Sequence, residues 1–296
     1  MNATLFALPG NETAAKLISG RLGCETGQCI LRQFPDGETY LRLESDVRGK
    51  TIILLCTLDR PDAKIIPLYF FAGTLRKAGA RKILLVAPYL AYMRQDKQFH
   101  PGESVTSEHF AALLSSFTDG LITVDPHLHR RKSLNEIYTV PSVAVHAAEH
   151  IAEWIKQNVK QPVLVGPDGE SGQWVSEVAK LAGAPFTVLT KERTGDAEVK
   201  ISVPHIAQFR NTHTPVLVDD IISTGRTMTG TIAHLREEKM KPTVCIGIHA
   251  VFSGDAYSDL KRAGVEKVVT CNTIPHESNA INVLDSVAGS IGKIKL

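Results

Sequence analysis

The 296-residue sequence has few aromatic residues and few cysteines, and it has no long apolar run. Aromatic side chains make up 6% of the chain, and the five cysteines form no CxxC pair. We therefore expect neither a disulfide framework, nor a structural zinc site, nor a membrane-spanning helix. Because the amino terminus also lacks the basic start of a signal peptide, the unpaired thiols predict a reducing compartment and a cytoplasmic protein.

A strong excess of charge of either sign is also missing. The formal net charge is +2, from 33 Lys and Arg against 31 Asp and Glu, which predicts neither a nucleic-acid partner nor a membrane surface. The nucleotide loops GxxxxGK[ST] and GxGxxG do not occur. The composition, with 43% hydrophobic and 22% charged residues, is typical of globular proteins, and the length allows two domains.

Short β-branched runs alternate with helical patterns along the whole chain. Strand patterns lie near TLFAL, CILRQF, TIILLC, KILLVAP and GLITVD in the first half, and near PVLVGP, FTVLTK, PVLVDD, TVCIGIHAVF and KVVTCN in the second. This alternation predicts an α/β fold of two similar doubly wound domains with mainly parallel sheets. We place the boundary near Pro141, which gives domains at residues 1–143 and 144–296.

The stretch VLVDDIISTGRTM, residues 216–228, ends a buried-looking strand in two acids and continues into a loop with hydroxyls and glycine. Amides and hydroxyls at the start of a helix bind phosphate, whereas paired carboxylates suit the hydroxyls of a sugar. A ribose 5-phosphate moiety would satisfy both features. The structural alternative is a helix N-cap by Asp220 or Ser223 without a ligand. The candidate binding residues are Asp219, Asp220, Ser223, Thr224, Gly225, Arg226 and Thr227.

Further polar segments follow other strand patterns, at the edge where α/β sheets bind ligands. They are YMRQDK (92–97), VDPHLHR (124–130), GPDGES (166–171) and TKERTG (190–195), and FPDGE (34–38) is a separate polar segment near the amino terminus. Each also has a structural interpretation. FPDGE is turn chemistry, KER triplets are common in solvated hairpins, and the run Arg130 to Lys132 is expected on a solvated face. The two histidines of HLH would share one face if they lay on a strand.

The segment VLVDDIISTGRT resembles the ribose-phosphate loop of type I phosphoribosyltransferases and phosphoribosyl diphosphate (PRPP) synthases, with Arg226 where those proteins usually have Gly. With the other segments in the same order, nearly the whole chain is similar to the ribose-phosphate pyrophosphokinases, the PRPP synthases. The resemblance implies Mg²⁺-dependent transfer of the diphosphoryl group of ATP to the C1 hydroxyl of ribose 5-phosphate. Two alternatives remain. One is a type I phosphoribosyltransferase, and the other is a catalytically silent regulatory relative, suggested by Arg226, Phe99 and the altered segment 169–173.

The resemblance also implies a role for individual residues. It assigns catalysis to Lys191 and Arg193 on a mobile loop, and metal binding to His127 and Asp168. It further implies a homo-oligomer, a dimer or a hexamer, in which the loop 34–38 completes the ATP site of a neighbouring subunit. The implied ATP-binding residues are Phe34, Asp36, Gly37, Glu38, Arg94, Gln95 and His127.

Overall fold

The computed structural model describes residues 2–167, 169, 171–194, 198–202 and 206–296, and for residues 173, 190–194 and 198–202 it describes the backbone. The chain divides into two compact units. The first unit comprises Met1–Val145, Thr273–Pro275 and Val283–Leu296. The second unit comprises His146–Asn272 and His276–Asn282.

The first unit is built on a parallel sheet. The strands of the whole unit are β1 (Ala3–Ala7), β2 (Glu25–Thr26), β3 (Cys29–Gln33), β4 (Thr39–Leu43), β5 (Thr51–Leu55), β6 (Lys82–Ala87), β7 (Gly120–Val124) and β8 (Ser142–Val145). The sheet has the order β2-β1-β5-β6-β7-β8, and all neighbours are parallel. Every residue of β5 and β7 is buried, as expected for strands covered on both faces. The connecting helices are α1 (Glu12–Leu22), α2 (Asp62–Lys77) and α3 (Thr106–Phe117).

The second unit repeats this construction. Its helices are α4 (Ala148–Asn158), α5 (Gly172–Ala182), α6 (Arg226–Glu237) and α7 (Ala256–Arg262). Its strands are β9 (Pro162–Gly166), β10 (Phe186–Val188), β11 (Thr190–Thr194), β12 (Glu198–Ser202), β13 (Thr214–Ile221), β14 (Val244–His249), β15 (Lys267–Cys271) and β16 (Asn279–Ile281). The parallel sheet has the order β10-β9-β13-β14-β15-β16. Helix α4 shows why the helices cover it, since its buried residues recur at one face: Ala148, Ile151, Ala152 and Ile155.

Both units therefore share one topology. In each, the second strand lies outside the first, an antiparallel hairpin follows (β3–β4 or β11–β12), and the later strands continue on the other side of the first. The direction of strand addition reverses between β1 and β5 in the first unit and between β9 and β13 in the second. The predicted α/β fold of two similar, mainly parallel sheets is confirmed. The reversal points are where such sheets bind ligands.

The carboxyl-terminal segment packs with the first unit, which differs from the predicted domain 144–296. Helix α8 (Leu284–Ile291) contacts α1 and β7, and the chain end follows it onto the same strand. A Cβ added to Gly120 of β7 would lie 2.4 Å from Leu296 Cδ2, so the glycine admits the final residue. Neither α8 nor any other helix in the described ranges is long and apolar enough to cross a membrane.

Candidate active site

The acid pair lies at the switch point of the second sheet. Asp219 and Asp220 occupy the carboxyl end of β13, between the parallel neighbours β9 and β14. The five preceding residues of the strand are buried, whereas both acids are half-buried. The Asp220 amide donates to Asp219 Oδ1 at 3.0 Å, which fixes the orientation of that carboxylate. Two carboxylates are thus held at the sheet edge that binds ligands in this fold class.

The predicted phosphate loop leads directly into a helix. Gly225 has φ +68° and ψ 0° and occupies the N-cap position of α6, and its carbonyl accepts from the Thr229 amide at 2.8 Å. The N-cap is therefore Gly225, and the alternative of a cap by Asp220 or Ser223 is wrong. The left-handed conformation suits glycine, and the amides of the first turn of α6 carry the positive end of the helix dipole.

Arg226 fits this loop without backbone strain. It is the first residue of α6, and its φ is not positive. Its side chain is exposed, as are those of Thr224 and Thr227, and its carbonyl accepts from Thr229 Oγ1 at 3.0 Å. The replacement of the usual glycine therefore leaves the helical backbone intact and adds a cation beside the first turn.

A second loop, which the sequence did not indicate, forms hydrogen bonds with the predicted phosphate loop. After β14, the Phe252 amide donates to the Ile222 carbonyl at 2.9 Å and the Ser253 amide to the Ser223 carbonyl at 3.0 Å. The hydroxyls of Ser223 and Ser253 lie 3.2 Å apart. Phe252 has φ +27°, and its buried ring packs with an aromatic group. The ring centroids of Tyr257 and His276 lie 5.2 and 4.6 Å from that of Phe252.

In the first unit, side chains near the switch point between β1 and β5 form hydrogen bonds with the loop that follows β5. Asn11 Oδ1 accepts from the Thr57 amide at 2.8 Å, and Lys64 Nζ donates to the Thr57 carbonyl at 2.9 Å and to the Asp59 carboxylate. The predicted ATP segments instead follow β6 and β7, which are adjacent and parallel. Residues 88–97 and 125–130 therefore begin at one edge of the first sheet.

The segment after β6 is attached to α3. The Gln95 carbonyl accepts from the Ser107 amide at 3.3 Å, and Gln95 Oε1 accepts from Thr106 Oγ1 at 3.2 Å. Tyr92 has φ +61°, and its hydroxyl bonds the Asp62 carboxylate at the start of α2. Arg94, between these attachments, is exposed. The backbone is thus fixed on both sides of a guanidinium that faces solvent.

The histidines lie beyond the end of β7 and not on a strand. The strand ends at Val124, and the rings of His127 and His129 meet edge to face with centroids 3.8 Å apart. His127 is half-buried and His129 is exposed. The expectation that a strand aligns these rings is wrong, although the loop still brings them together.

The two arginines of the basic run after the histidines form ion pairs with acids of other segments. Arg130 Nη1 donates to Asp96 Oδ1 at 3.0 Å and to Oδ2 at 3.3 Å. Arg131 Nη2 donates to the exposed Glu108 carboxylate at 2.8 Å, and the Arg131 side chain is 15% exposed. Both arginines form ion pairs; Arg130 and Lys132 are exposed, as expected for a solvated face, whereas Arg131 is half-buried.

The FPDGE segment forms the tip of the β3–β4 hairpin. The Phe34 amide donates to the Glu38 carbonyl at 2.8 Å, and Gly37, with φ +92°, donates to the Phe34 carbonyl at 2.9 Å. The Glu38 amide also donates to Asp36 Oδ1 at 3.1 Å. Phe34 is nevertheless 40% exposed, with the Arg32 guanidinium 4.8 Å from its ring centroid. The turn expected for FPDGE is thus present, and the ring of Phe34 is exposed at its tip.

Two further predictions concern the remaining loops of the second unit. Asp168 lies outside the described residues. Lys191 and Arg193 lie in β11, where the backbone register pairs them with Ile201 and Val199 of β12. This part of the chain is an antiparallel hairpin, as the structural alternative for the KER triplet anticipated.

Comparison with known proteins agrees with this arrangement. The N-terminal domain of ribose phosphate pyrophosphokinase matches residues 3–117, and the phosphoribosyl transferase domain matches residues 133–285. A ribose-phosphate pyrophosphokinase of Saccharolobus solfataricus is 32% identical over 257 residues, which cover 85% of this chain and 86% of the relative. That of Pyrococcus abyssi is 32% identical over 260 residues, 87% of this chain and 88% of the relative.

A solved structure supports the fold independently. Phosphoribosylpyrophosphate synthetase from Mycobacterium smegmatis superposes with a TM-score of 0.85 over 99% of this chain and 98% of that one, at 23% sequence identity. The sequence matches extend through both units, and the acid pair and its loop lie inside the phosphoribosyl transferase match. The chain belongs to the ribose-phosphate pyrophosphokinase family.

Proposed function

We propose that this protein transfers the diphosphoryl group of ATP to the C1 hydroxyl of ribose 5-phosphate. The C1 oxygen forms a bond to the β-phosphorus, the bond between that phosphorus and the α,β-bridging oxygen breaks, and AMP leaves. The product is PRPP. The observation that carries the proposal is the acid pair at the switch point of β9 and β13, followed by a short loop and a helix with Gly225 at its N-cap.

The second unit supplies the acceptor site. Asp219 and Asp220 accept hydrogen bonds from the vicinal hydroxyls of ribose, which leaves the 5-phosphate for the loop 223–227. There the amides at the start of α6 and the hydroxyls of the loop donate to the phosphate oxygens. Arg226 adds a positive charge at the same place. An anion alone would be repelled by the acids, so the combination favours a sugar phosphate over a bare phosphate.

The first unit supplies the donor site. Arg94 stacks on adenine or pairs with phosphate, and Gln95 and His127 contact the polyphosphate from the neighbouring strand ends. The exposed ring of Phe34 stacks on adenine, and the carboxylates of the FPDGE tip accept from the exocyclic amine. We assign this tip to the site of a neighbouring subunit in a homo-oligomer.

Catalysis requires that the charges of two polyanions are balanced. Asp168 and His127 are the residues that would hold Mg²⁺, which would supply positive charge to offset the negative charge of the phosphate oxygens. The half-buried His127 lies at the same sheet edge as the proposed ATP contacts, which suits it to the metal-bound polyphosphate. Lys191 and Arg193 donate to the transferring group, where charge develops on the leaving oxygen. We place the activity in the cytoplasm, because none of the five cysteines forms a disulfide.

One assay separates this function from its alternatives. Purified protein is mixed with ATP, ribose 5-phosphate and Mg²⁺, and AMP and PRPP are quantified. Stoichiometric AMP and PRPP support the proposal. A second mixture contains the protein with PRPP, a nucleobase and Mg²⁺. Release of pyrophosphate in this second mixture, without AMP in the first, would indicate a phosphoribosyltransferase. Inactivity in both mixtures would indicate a regulatory relative.

A further inference from the structure

A partly buried ion pair joins the two proposed ATP segments of the first unit. Arg130 Nη1 lies 3.0 Å from Asp96 Oδ1 and 3.3 Å from Oδ2. The Asp96 side chain is 2% exposed, whereas that of Arg130 is 34% exposed. The carboxylate is therefore withdrawn from water, and the guanidinium reaches it from the surface.

The two partners belong to different loops at one sheet edge. Asp96 follows Gln95 directly, in the segment after β6, and Arg130 lies three residues after His127, in the segment after β7. The strands β6 and β7 are adjacent, with Ala87 paired to Thr123. The ion pair thus connects the loops beyond the point where the sheet hydrogen bonds end.

A charge in this position needs its partner. An ionised carboxylate removed from water is destabilised unless a cation and hydrogen bonds compensate for the lost hydration. Arg130 provides both, so the low-energy arrangement of the two loops keeps Asp96 and Arg130 together. Gln95 is also hydrogen-bonded to Thr106 and Ser107 at the start of α3, which fixes the loop after β6. The ion pair therefore holds the loop after β7 against a loop whose position is fixed.

We propose that Asp96 and Arg130 are positioning residues for ATP. Their ion pair sets the distance between the segment Arg94–Gln95 and His127. These residues contact one polyphosphate from two loops. This role rests on the proposed function. It predicts that loss of the pair affects the nucleotide and not the sugar phosphate, since both residues belong to the donor unit.

The neighbouring arginine offers a matched control. Arg131 is one residue further along the same loop and also forms an ion pair, but with the exposed Glu108 of α3. Glu108 is 56% exposed at its side chain, so its charge is solvated without a partner. An arginine-to-alanine change at residue 131 removes the same group from the same loop and leaves the pair between the ATP segments intact.

The test measures KM for ATP, KM for ribose 5-phosphate and MgATP binding by calorimetry in Arg130→Ala, Arg130→Lys, Asp96→Asn and Arg131→Ala. We expect Arg130→Ala and Asp96→Asn to raise KM and Kd for MgATP at least tenfold, with KM for ribose 5-phosphate within twofold. Arg130→Lys should recover part of the loss, because it restores the cation. Arg131→Ala should stay within twofold for both substrates.

Several outcomes would overturn the positioning role. Equal rises in KM for both substrates, accompanied by a lower melting temperature, would show a merely structural pair. Unchanged MgATP binding in Arg130→Ala would show no role. Should Arg130→Ala fail to fold, Arg130→Lys decides the question. Lysine retains the positive charge but changes the geometry of the pair, so wild-type affinity for MgATP in this variant would contradict the positioning role. Failure of the proposed function can be distinguished from failure of the positioning role. In the first case the wild-type protein makes no AMP, whereas MgATP binding by the variants and the wild type can still be compared by calorimetry.

Discussion

Replacement of Gly225 by alanine separates the structural role of the proposed phosphate loop from its functional role. Gly225 has φ +68° at the start of α6, and Gly183 has the same φ of +68° at the end of α5 in the same unit. An L side chain in the left-handed region costs roughly 1–2 kcal/mol. The two variants, Gly225→Ala and Gly183→Ala, therefore introduce the same backbone strain at two different places.

Steric crowding does not distinguish the two positions. A Cβ added to Gly225 would lie 3.6 Å from the Ala256 carbonyl oxygen, an ordinary contact, and one added to Gly183 meets nothing within 4 Å. Domains of this size lose about 2–4 °C of melting temperature for each kcal/mol. We therefore expect both variants to melt about 2–8 °C below wild type.

The functional effects should differ strongly. A relaxed φ at residue 225 turns the first amides of α6 away from the 5-phosphate, and a hydrogen bond to a charged group contributes about 1.5–3 kcal/mol. With about 1.4 kcal/mol for each factor of ten, KM for ribose 5-phosphate should rise roughly 10- to 100-fold in Gly225→Ala. In Gly183→Ala it should remain within twofold.

Steady-state kinetics at saturating ATP, together with thermal melting of both variants, decide the matter. The interpretation of the loop as a phosphate site is refuted if Gly225→Ala binds ribose 5-phosphate as wild type does while it shows the expected loss of melting temperature.

Three further predictions concern catalysis, assembly and thiol chemistry. Lys191→Ala should lower kcat by at least 100-fold and change MgATP affinity by less than threefold, because its proposed contact forms in the transition state; equal losses in calorimetric affinity and in kcat would exclude that role. Co-expression of inactive Phe34→Ala with inactive Lys191→Ala chains should restore activity if the hairpin tip acts in a neighbouring subunit, and mixed oligomers without activity would show that the tip does not complete a neighbour's site. Burial raises the pKa of Cys56 and Cys245 to about 12, so both stay protonated and unreactive towards iodoacetamide at pH 8, whereas the half-buried thiols react first. Mass spectrometry of the alkylated protein checks the order, and early labelling of a buried thiol would contradict it. The half-buried thiols are Cys24 and Cys29.

The sequence predicted the sheets well because their strands are local apolar runs. The pattern TIILLC corresponds to β5 and the pattern GLITVD to β7, and all residues of both strands are buried. The hairpins and the limits of the strands were harder to predict from the sequence. FTVLTK was expected as one strand, but the chain changes partner after Val188 and forms β10 and β11 in different sheets.

Long-range contacts could not be predicted from spacing. Nothing near Arg130 in the sequence indicates Asp96, 34 positions earlier, so a basic run looked solvated. Helix α8 was missed because its eight residues bury one face against elements at the other end of the chain. The hydrogen bond from Phe252 to the proposed phosphate loop likewise depends on the adjacency of β13 and β14.

The most direct test follows the phosphorus atoms of ATP. With [γ-³²P]ATP, ribose 5-phosphate and Mg²⁺, the wild-type protein should place the label in PRPP and release unlabelled AMP, since the β- and γ-phosphoryl groups move together. Labelled ribose 1,5-bisphosphate with ADP would show transfer of a single phosphoryl group. That result would contradict attack at the β-phosphorus, on which the proposed function depends.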